Sequence, residues 1–235
     1  MYHYYKIAGL TVKMDTFGRT ADLAFPYRIE PCSQVDITID PQYQILKAVQ
    51  SDADDDLCEY LASGRVFYRR LLDFSGMMLH ASAIAVDGKA YLFSAASGTG
   101  KSTHVGLWRQ LLGDERVRII NDDKPALRLK NGTWYVYGTP WSGKYGLNLN
   151  LRYPLAGICF LQRAPMNKIE PYTKSDIVFR FLTQTNWSKK AQIQEKTLTH
   201  IGSLLEKVPV WQLECNMEQE AAVLSYCAMT GNGQP

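Results

Sequence analysis

An apolar stretch ending at Ser94 and a helix-like stretch starting at Ser102 are joined by Ala95-Ala96-Ser97-Gly98-Thr99-Gly100-Lys101-Ser102-Thr103. No other feature of the chain limits its fold as much. Two glycines one residue apart permit backbone turns that residues with a Cβ resist, and a lysine and a hydroxyl follow at once. The helix that begins there turns its free N–H groups and the positive end of its dipole toward the turn. Converging N–H groups, a lysine and a hydroxyl are what a phosphate chain with magnesium requires. Ser97, Gly98, Thr99, Gly100, Lys101, Ser102 and Thr103 therefore read as a P-loop and as the nucleotide-binding residues. One position departs from the pattern G-x-x-x-x-G-K-[ST]: the first glycine is Ala95. A G-x-G-K-[ST] string arises by chance in about one chain of this length in a hundred, and the strand before it and helix after it sharpen the signal.

The surrounding pattern predicts an α/β fold with a mixed, largely antiparallel sheet. Met77 to Val86 and Lys89 to Ser94 are extended runs joined by Asp87-Gly88, a two-residue hairpin signal. Ala126 to Leu129 and Thr133 to Tyr137 flank Asn131-Gly132 in the same way. Further strands are expected at Val117–Ile120, Leu155–Leu161 and Val210–Leu213. Helices are expected at Ser102–Leu112, Asp176–Trp187, Ala191–Leu205 and Glu218–Cys227. From Ser51, Leu57, Leu61, Phe67 and Leu71 recur near helical spacing, with aspartates at the start and Gly76 past the end. The region up to about Pro41 reads as short strands, of which Val35–Asp40 alternates with period two. The organisation expected is a β-rich N-terminal segment over residues 1–50, a P-loop domain over 51–230 and a frayed tail over 231–235.

Composition narrows the partners. Hydrophobic residues make up 46% and charged residues 21%, and the net charge is +3. Nucleic acid is not expected, because that partner calls for a clustered basic face. With no long apolar run and no charged-then-apolar leader, a cytoplasmic protein without a membrane span is expected. The five cysteines lie far apart and form no C-x-x-C pair, and the four histidines have no metal-ligand spacing. Oligomeric state is left open, a homo-oligomer included.

Asn121-Asp122-Asp123 closes an apolar strand 20 residues after Lys101. Phosphoryl transfer needs a carboxylate there for magnesium, and a second can accept the proton of the acceptor hydroxyl. Ser102, Asp122 and Asp123 are thus the candidate metal ligands, and Asp122 and Asp123 the candidate metal holder and base, in either order. A plain Asx turn at a strand end would also place these residues together. His80, in Met77-Met78-Leu79-His80-Ala81-Ser82, lies on the strand expected to pair with the one entering the loop, and is either a structural histidine hydrogen-bonded within the core or a catalytic group that sheet geometry brings near the phosphates. Tyr137-Gly138-Thr139-Pro140-Trp141-Ser142-Gly143-Lys144 has two readings. It borders the acceptor pocket, with Trp141 as a platform and Lys144 beside the transferring phosphoryl group, or it is a surface loop with packed Trp and solvated Lys.

Taken together, His80-Ala81-Ser82, a hairpin, the S-G-T-G-K-S-T loop and Asn121-Asp122-Asp123 resemble the C-terminal catalytic domain of HPr kinase/phosphorylase. That family is related in fold to phosphoenolpyruvate carboxykinase. The resemblance spans roughly Phe74 to Leu161, and the N-terminal part lacks the look of that enzyme's regulatory domain. It implies ATP and magnesium and transfer to a serine-type hydroxyl. Lys101 would contact phosphate, Ser102 magnesium, Asp122 and Asp123 metal and proton, and His80 would match the family's histidine before the loop. The family's signature after the aspartates is missing, replaced by the Tyr137–Lys144 segment, as in a divergent branch. The acceptor implied is therefore a hydroxyl on a peptide, protein or small molecule. A regulator that binds nucleotide without transferring phosphate is the alternative, and a carboxykinase-like lyase is disfavoured by the short chain.

Overall fold

The computed structural model describes residues 2–40 and 54–233. The expected boundary at residues 50 and 51 lies outside the described residues, as do the last two residues of the expected tail. The chain opens with a hairpin of β1 (His3–Ile7) and β2 (Leu10–Met14). They are joined through Ala8 and Gly9 at φ 51° and 75°, the left-handed pair that a two-residue hairpin turn needs. After α1 (Gly18–Ala24) come β3 (Arg28–Ile29) and β4 (Ile37–Ile39), completing a four-stranded sheet of order β3-β1-β2-β4. β4 falls within the expected 35–40 strand. α1 was not expected: its 7 residues bury only Thr20 and Ala24, too little to impose a helical period on the sequence.

α2 (Asp55–Leu71) starts where its aspartates suggest, the Asp54 side chain accepting from Leu57 N at 2.6 Å. Its buried face differs from the expected leucine stripe. Leu57 and Leu61 are 42% and 37% exposed, whereas Cys58, Tyr60, Ala62, Ser63, Gly64, Phe67, Tyr68 and Leu71 are buried. α2 packs into one cluster with the small sheet, with Met78, Ala126 and Tyr137 of the larger one, and with Trp141 of the loop that follows Tyr137. A helix held from two sides buries more than one stripe, and small residues let the neighbours approach. Its exit turn uses Ser75 at φ 54°, while Gly76 starts β5 (Gly76–Met78), where a Cβ would meet Leu127 O at 2.7 Å.

The large sheet adds β6 (Ala81–Val86), β7 (Lys89–Ser94), β8 (Arg118–Asn121), β9 (Ala126–Lys130), β10 (Thr133–Tyr137), β11 (Arg152–Arg163), β12 (Lys168–Pro171) and β13 (Val210–Cys215). Its order is β5-β9-β10-β11-β7-β6-β8, with β13 also beside β11 and β12 beside β13. β11 runs parallel to β7 and to β13, and the other pairings are antiparallel. The mixed, largely antiparallel α/β architecture expected from the hairpin signals is observed. β12 was not anticipated, and β11 exceeds its expected span because its start pairs with β10 and its end with β13. α3 (Lys101–Leu112) and α6 (Gln219–Thr230) cover one face, and α4 (Ile177–Thr183) and α5 (Ala191–Lys207) the other. No helix among the described residues is long and apolar enough to cross a membrane.

Glu59 sits on the buried face of α2. Burial pushes its carboxyl up to about 7, with Thr20 and Ser63 offsetting part of the rise and Asp56 and Asp15 adding to it. Between the ordinary value of 4.5 and about 7 the folded chain holds a proton that the unfolded chain has released, so stability falls as pH rises through that window. The denaturation midpoint is expected to drop between about pH 5 and about pH 8, and Glu59→Gln to flatten the dependence. A midpoint that climbs over the same range would show that Glu59 is not held protonated.

Candidate functional site

β6 lies between β7, which leads into the glycine loop, and β8, which leads into the aspartates. Ala81 pairs with Ser94 and Ala83 with Asn121, so His80, the loop and the aspartates emerge at one end of three adjacent strands. Antiparallel register alone achieves this convergence, since each strand end is fixed by its neighbour.

In the loop, Gly98 and Gly100 hold φ of 76° and 121°. A Cβ at either would meet nothing within 4 Å, so these glycines supply conformation rather than room. Ala95 is not among the positive-φ residues, and alanine in place of the pattern's first glycine costs no strain here. Gly100 is the N-cap of α3, and its carbonyl accepts from His104 N at 2.9 Å. Lys101 is buried and donates from Nζ to the carbonyls of Ala95 at 3.0 Å and Ala96 at 3.4 Å. Burial lowers its pKa, while Asp123 and Asp122 work to raise it. The ammonium thus lies across the mouth of its own loop.

Asp122 faces that loop. Ser102 Oγ is 3.1 and 3.0 Å from its two carboxylate oxygens, and Ser82 Oγ donates to Oδ1 at 2.6 Å. Asp123 faces elsewhere, pairing with His80 Nε2 at 3.1 Å and with Lys124 Nζ at 2.6 Å. Burial alone would raise the Asp123 pKa, but His80 and Lys124 outweigh it and hold the carboxyl at about 2. His80 Nδ1 meets Gln184 Oε1 at 3.0 Å, and His80 N donates to Gln184 O at 2.7 Å. Asn121 makes the turn: its Oδ1 accepts from Asp123 N and Lys124 N, while Nδ2 donates to Thr139. The Asx turn and the converging carboxylates are therefore one structure, the first aiming the second. Sequence reasoning assigned no role to Ser82, Lys124 or Gln184; the first two were signalled only by proximity to His80 and Asp123, and Gln184, 104 residues from His80, by nothing local.

Thr139 to Ser142 are buried, so the segment is not a loop on the surface, but the packed Trp and solvated Lys that the surface-loop reading expected are both found. Trp141 is 1% exposed and stacks on Phe67 with centroids 4.8 Å apart, its Nε1 donating to Ser63 Oγ at 3.0 Å. It is a core residue, with Gly64 of α2 directly against its ring. The segment does border the aspartates: a Cβ on Gly143 would stand 2.7 Å from Asp123 Cβ. Lys144 is exposed with its ammonium 5.7 Å from the Tyr145 ring centroid, and the cation paired with Asp123 is Lys124. On the loop's other flank, Arg163 at the end of β11 donates to the carbonyls of Thr99, at 3.0 Å, and Gly98.

Two cavities meet at the loop. One of about 490 Å³ runs from Ser94–Thr99 past Arg163, Arg180 and Gln184. The other, of about 560 Å³, lies against Gly100 and Thr103 with apolar walls from Leu107, Leu161 and Met217. Among the described residues no group of three or more His, Cys, Asp or Glu could hold a metal ion by itself.

Residues 48–220 match the model of the family described as SynChlorMet cassette protein ScmC. That match covers well over half of the chain, and the chain belongs to this family. Among solved structures, the HPr(Ser) kinase/phosphatase from Coxiella burnetii matches with 10% identity and a TM-score of 0.37, over 66% of this chain and 95% of that one. The family shown is ScmC and not HPr kinase. A comparison with curated proteins found no match.

Proposed function

We propose that this member of the ScmC family binds ATP with magnesium at the glycine loop and transfers the γ-phosphate to an acceptor hydroxyl. The observation that carries the reading is the division between the two aspartates. Asp122 shares its carboxylate with the hydroxyl of Ser102 at the start of α3, whereas Asp123 points away to His80 and Lys124. A regulator that only binds nucleotide has no use for a second, separately oriented carboxylate.

A hydroxyl and a carboxylate are hard oxygen donors that suit magnesium, an ion bound through one or two protein oxygens plus phosphates and water. Ser102 and Asp122 would hold it, and bound there it would neutralise charge on the β- and γ-phosphates. The residues do the rest. Gly98, Gly100 and the first turn of α3 present N–H groups to the phosphates, and Lys101 exchanges the Ala95 and Ala96 carbonyls for phosphate oxygen. Asp123 accepts a hydrogen bond from the acceptor hydroxyl and aims its oxygen at phosphorus. A carboxyl held near 2 is a weak base, which suffices because a loose transition state needs the hydroxyl proton removed late. His80 and Lys124 keep that carboxylate ionised and pointed. The larger apolar cavity offers Leu107, Leu161 and Met217 to the base.

Lys101→Ala is expected to weaken ATP binding by about tenfold or more in calorimetry, since it removes the fixed cation of the loop. Equal affinity in the two proteins would overturn the nucleotide assignment.

A further inference from the structure

A third cavity, of about 180 Å³, is walled by Tyr60, Tyr68, Met78 and Trp141, with Arg65 and Lys124 among its lining residues. We propose that it is the acceptor site, and that the acceptor is a hydroxyl compound carrying an aromatic ring beside a carboxylate. This inference rests on the phosphoryl-transfer reading and names the substrate class for it.

Size comes first. An apolar cavity of about 150 Å³ holds one benzene ring, and whole drug-sized ligands need about 300 Å³ or more. A volume of about 180 Å³ therefore admits a single ring and leaves the rest of the molecule outside. The walls favour an aromatic ring over a saturated one, because three rings and a thioether offer faces, edges and sulfur. Those walls are fixed before anything binds. Tyr60 Oη accepts from Gly143 N at 3.0 Å, Tyr68 Oη donates to Lys124 O, and Trp141 is tied to Ser63.

Charge comes next. No Asp or Glu lines the cavity, and two cations do. Arg65 is exposed and has no ion pair among the described residues. Lys124 reaches from the cavity to Asp123 at 2.6 Å, so a carboxylate drawn to Arg65 and Lys124 sets its neighbouring hydroxyl toward Asp123. Gly143, against Asp123, ties the 139–144 loop to the same corner.

The test uses the whole protein without nucleotide and 3-phenyllactate, which carries ring, hydroxyl and carboxylate together. Calorimetry is expected to show binding, about fivefold weaker for 3-cyclohexyllactate because edge-to-face contacts are lost. Arg65→Gln, an exposed change, is expected to weaken 3-phenyllactate by about fivefold and leave uncharged 1-phenyl-2-propanol unaffected. Leu61→Trp, at a half-exposed lining position, is expected to remove ring binding without moving the denaturation midpoint. Acetyl-seryl-phenylalanine serves as the peptide arm, and the tighter of the two probes names the source. Binding of neither probe, equal affinity for phenyl and cyclohexyl, or indifference to Arg65→Gln overturns the proposal. None of these results alters ATP affinity, so failure here stays distinct from failure of the nucleotide site, which Lys101→Ala reads.

Discussion

Asp123→Asn is expected to lower the turnover number by about 10²- to 10⁴-fold while ATP affinity stays within about twofold. The substitution keeps shape and size but removes the charge that, in the proposed function, orients the acceptor hydroxyl and takes its proton. Asp123 does not touch Ser102; its partners are His80 and Lys124, so the phosphate side of the site is left standing. Asp122→Asn should behave differently. Its carboxylate bonds Ser102 and Ser82, and its loss should appear first as a raised magnesium requirement. Comparing the two variants in a γ-phosphate transfer assay over a magnesium titration separates the roles. If Asp123→Asn retains full turnover, or if both variants change only the magnesium dependence, the division of labour between the aspartates is wrong.

Trp141→Ala is expected to cost about 3–5 kcal/mol of stability, the range for emptying a buried Trp site, a large share of the 5–15 kcal/mol typical of a domain. The ring stacks on Phe67, meets Tyr68 at 5.6 Å between centroids and satisfies Ser63. Removing it leaves a hole between α2 and the sheet and strips Ser63 of a donor. The denaturation midpoint should fall sharply with little change in slope. Trp141→Phe, which keeps a ring and loses the Nε1 donor, should cost markedly less. An Ala variant as stable as the parent would show that the ring does not hold α2 to the sheet.

Local chemistry carried much of this molecule openly. Asp87-Gly88 and Asn131-Gly132 turn as written, at φ 49°, 78°, 50° and 79°, because a two-residue hairpin needs positive φ twice and these dipeptides tolerate it. Gly98 and Gly100 are equally legible: their backbone conformation is closed to most residues, so the sequence there has little freedom. Asn121 announced its Asx turn for the same reason, its own side chain closing the turn with the two following amides. The order of motifs was enough to suggest phosphate chemistry, and the aspartates expected to join the glycine loop do converge on it, Asp122 meeting Ser102.

Other features had no local signature. Which aspartate meets Ser102 and which meets His80 depends on strand register across β7, β6 and β8, a long-range pairing that adjacent identical residues cannot encode. Leu57 and Leu61 were read as buried, yet the helix turns Tyr60, Ser63 and Gly64 inward because Trp141, 78 residues from Ser63 in the chain, comes to rest there. Lys144 looked suited to a phosphoryl group and lies exposed, while Lys124 found Asp123 through the turn that Asn121 makes. Turns and glycine conformations are set by sterics within a few residues, and those the sequence determined by itself. The partners of each charge and the buried face of each helix follow from which distant surfaces exclude water together, and those only the tertiary structure decided.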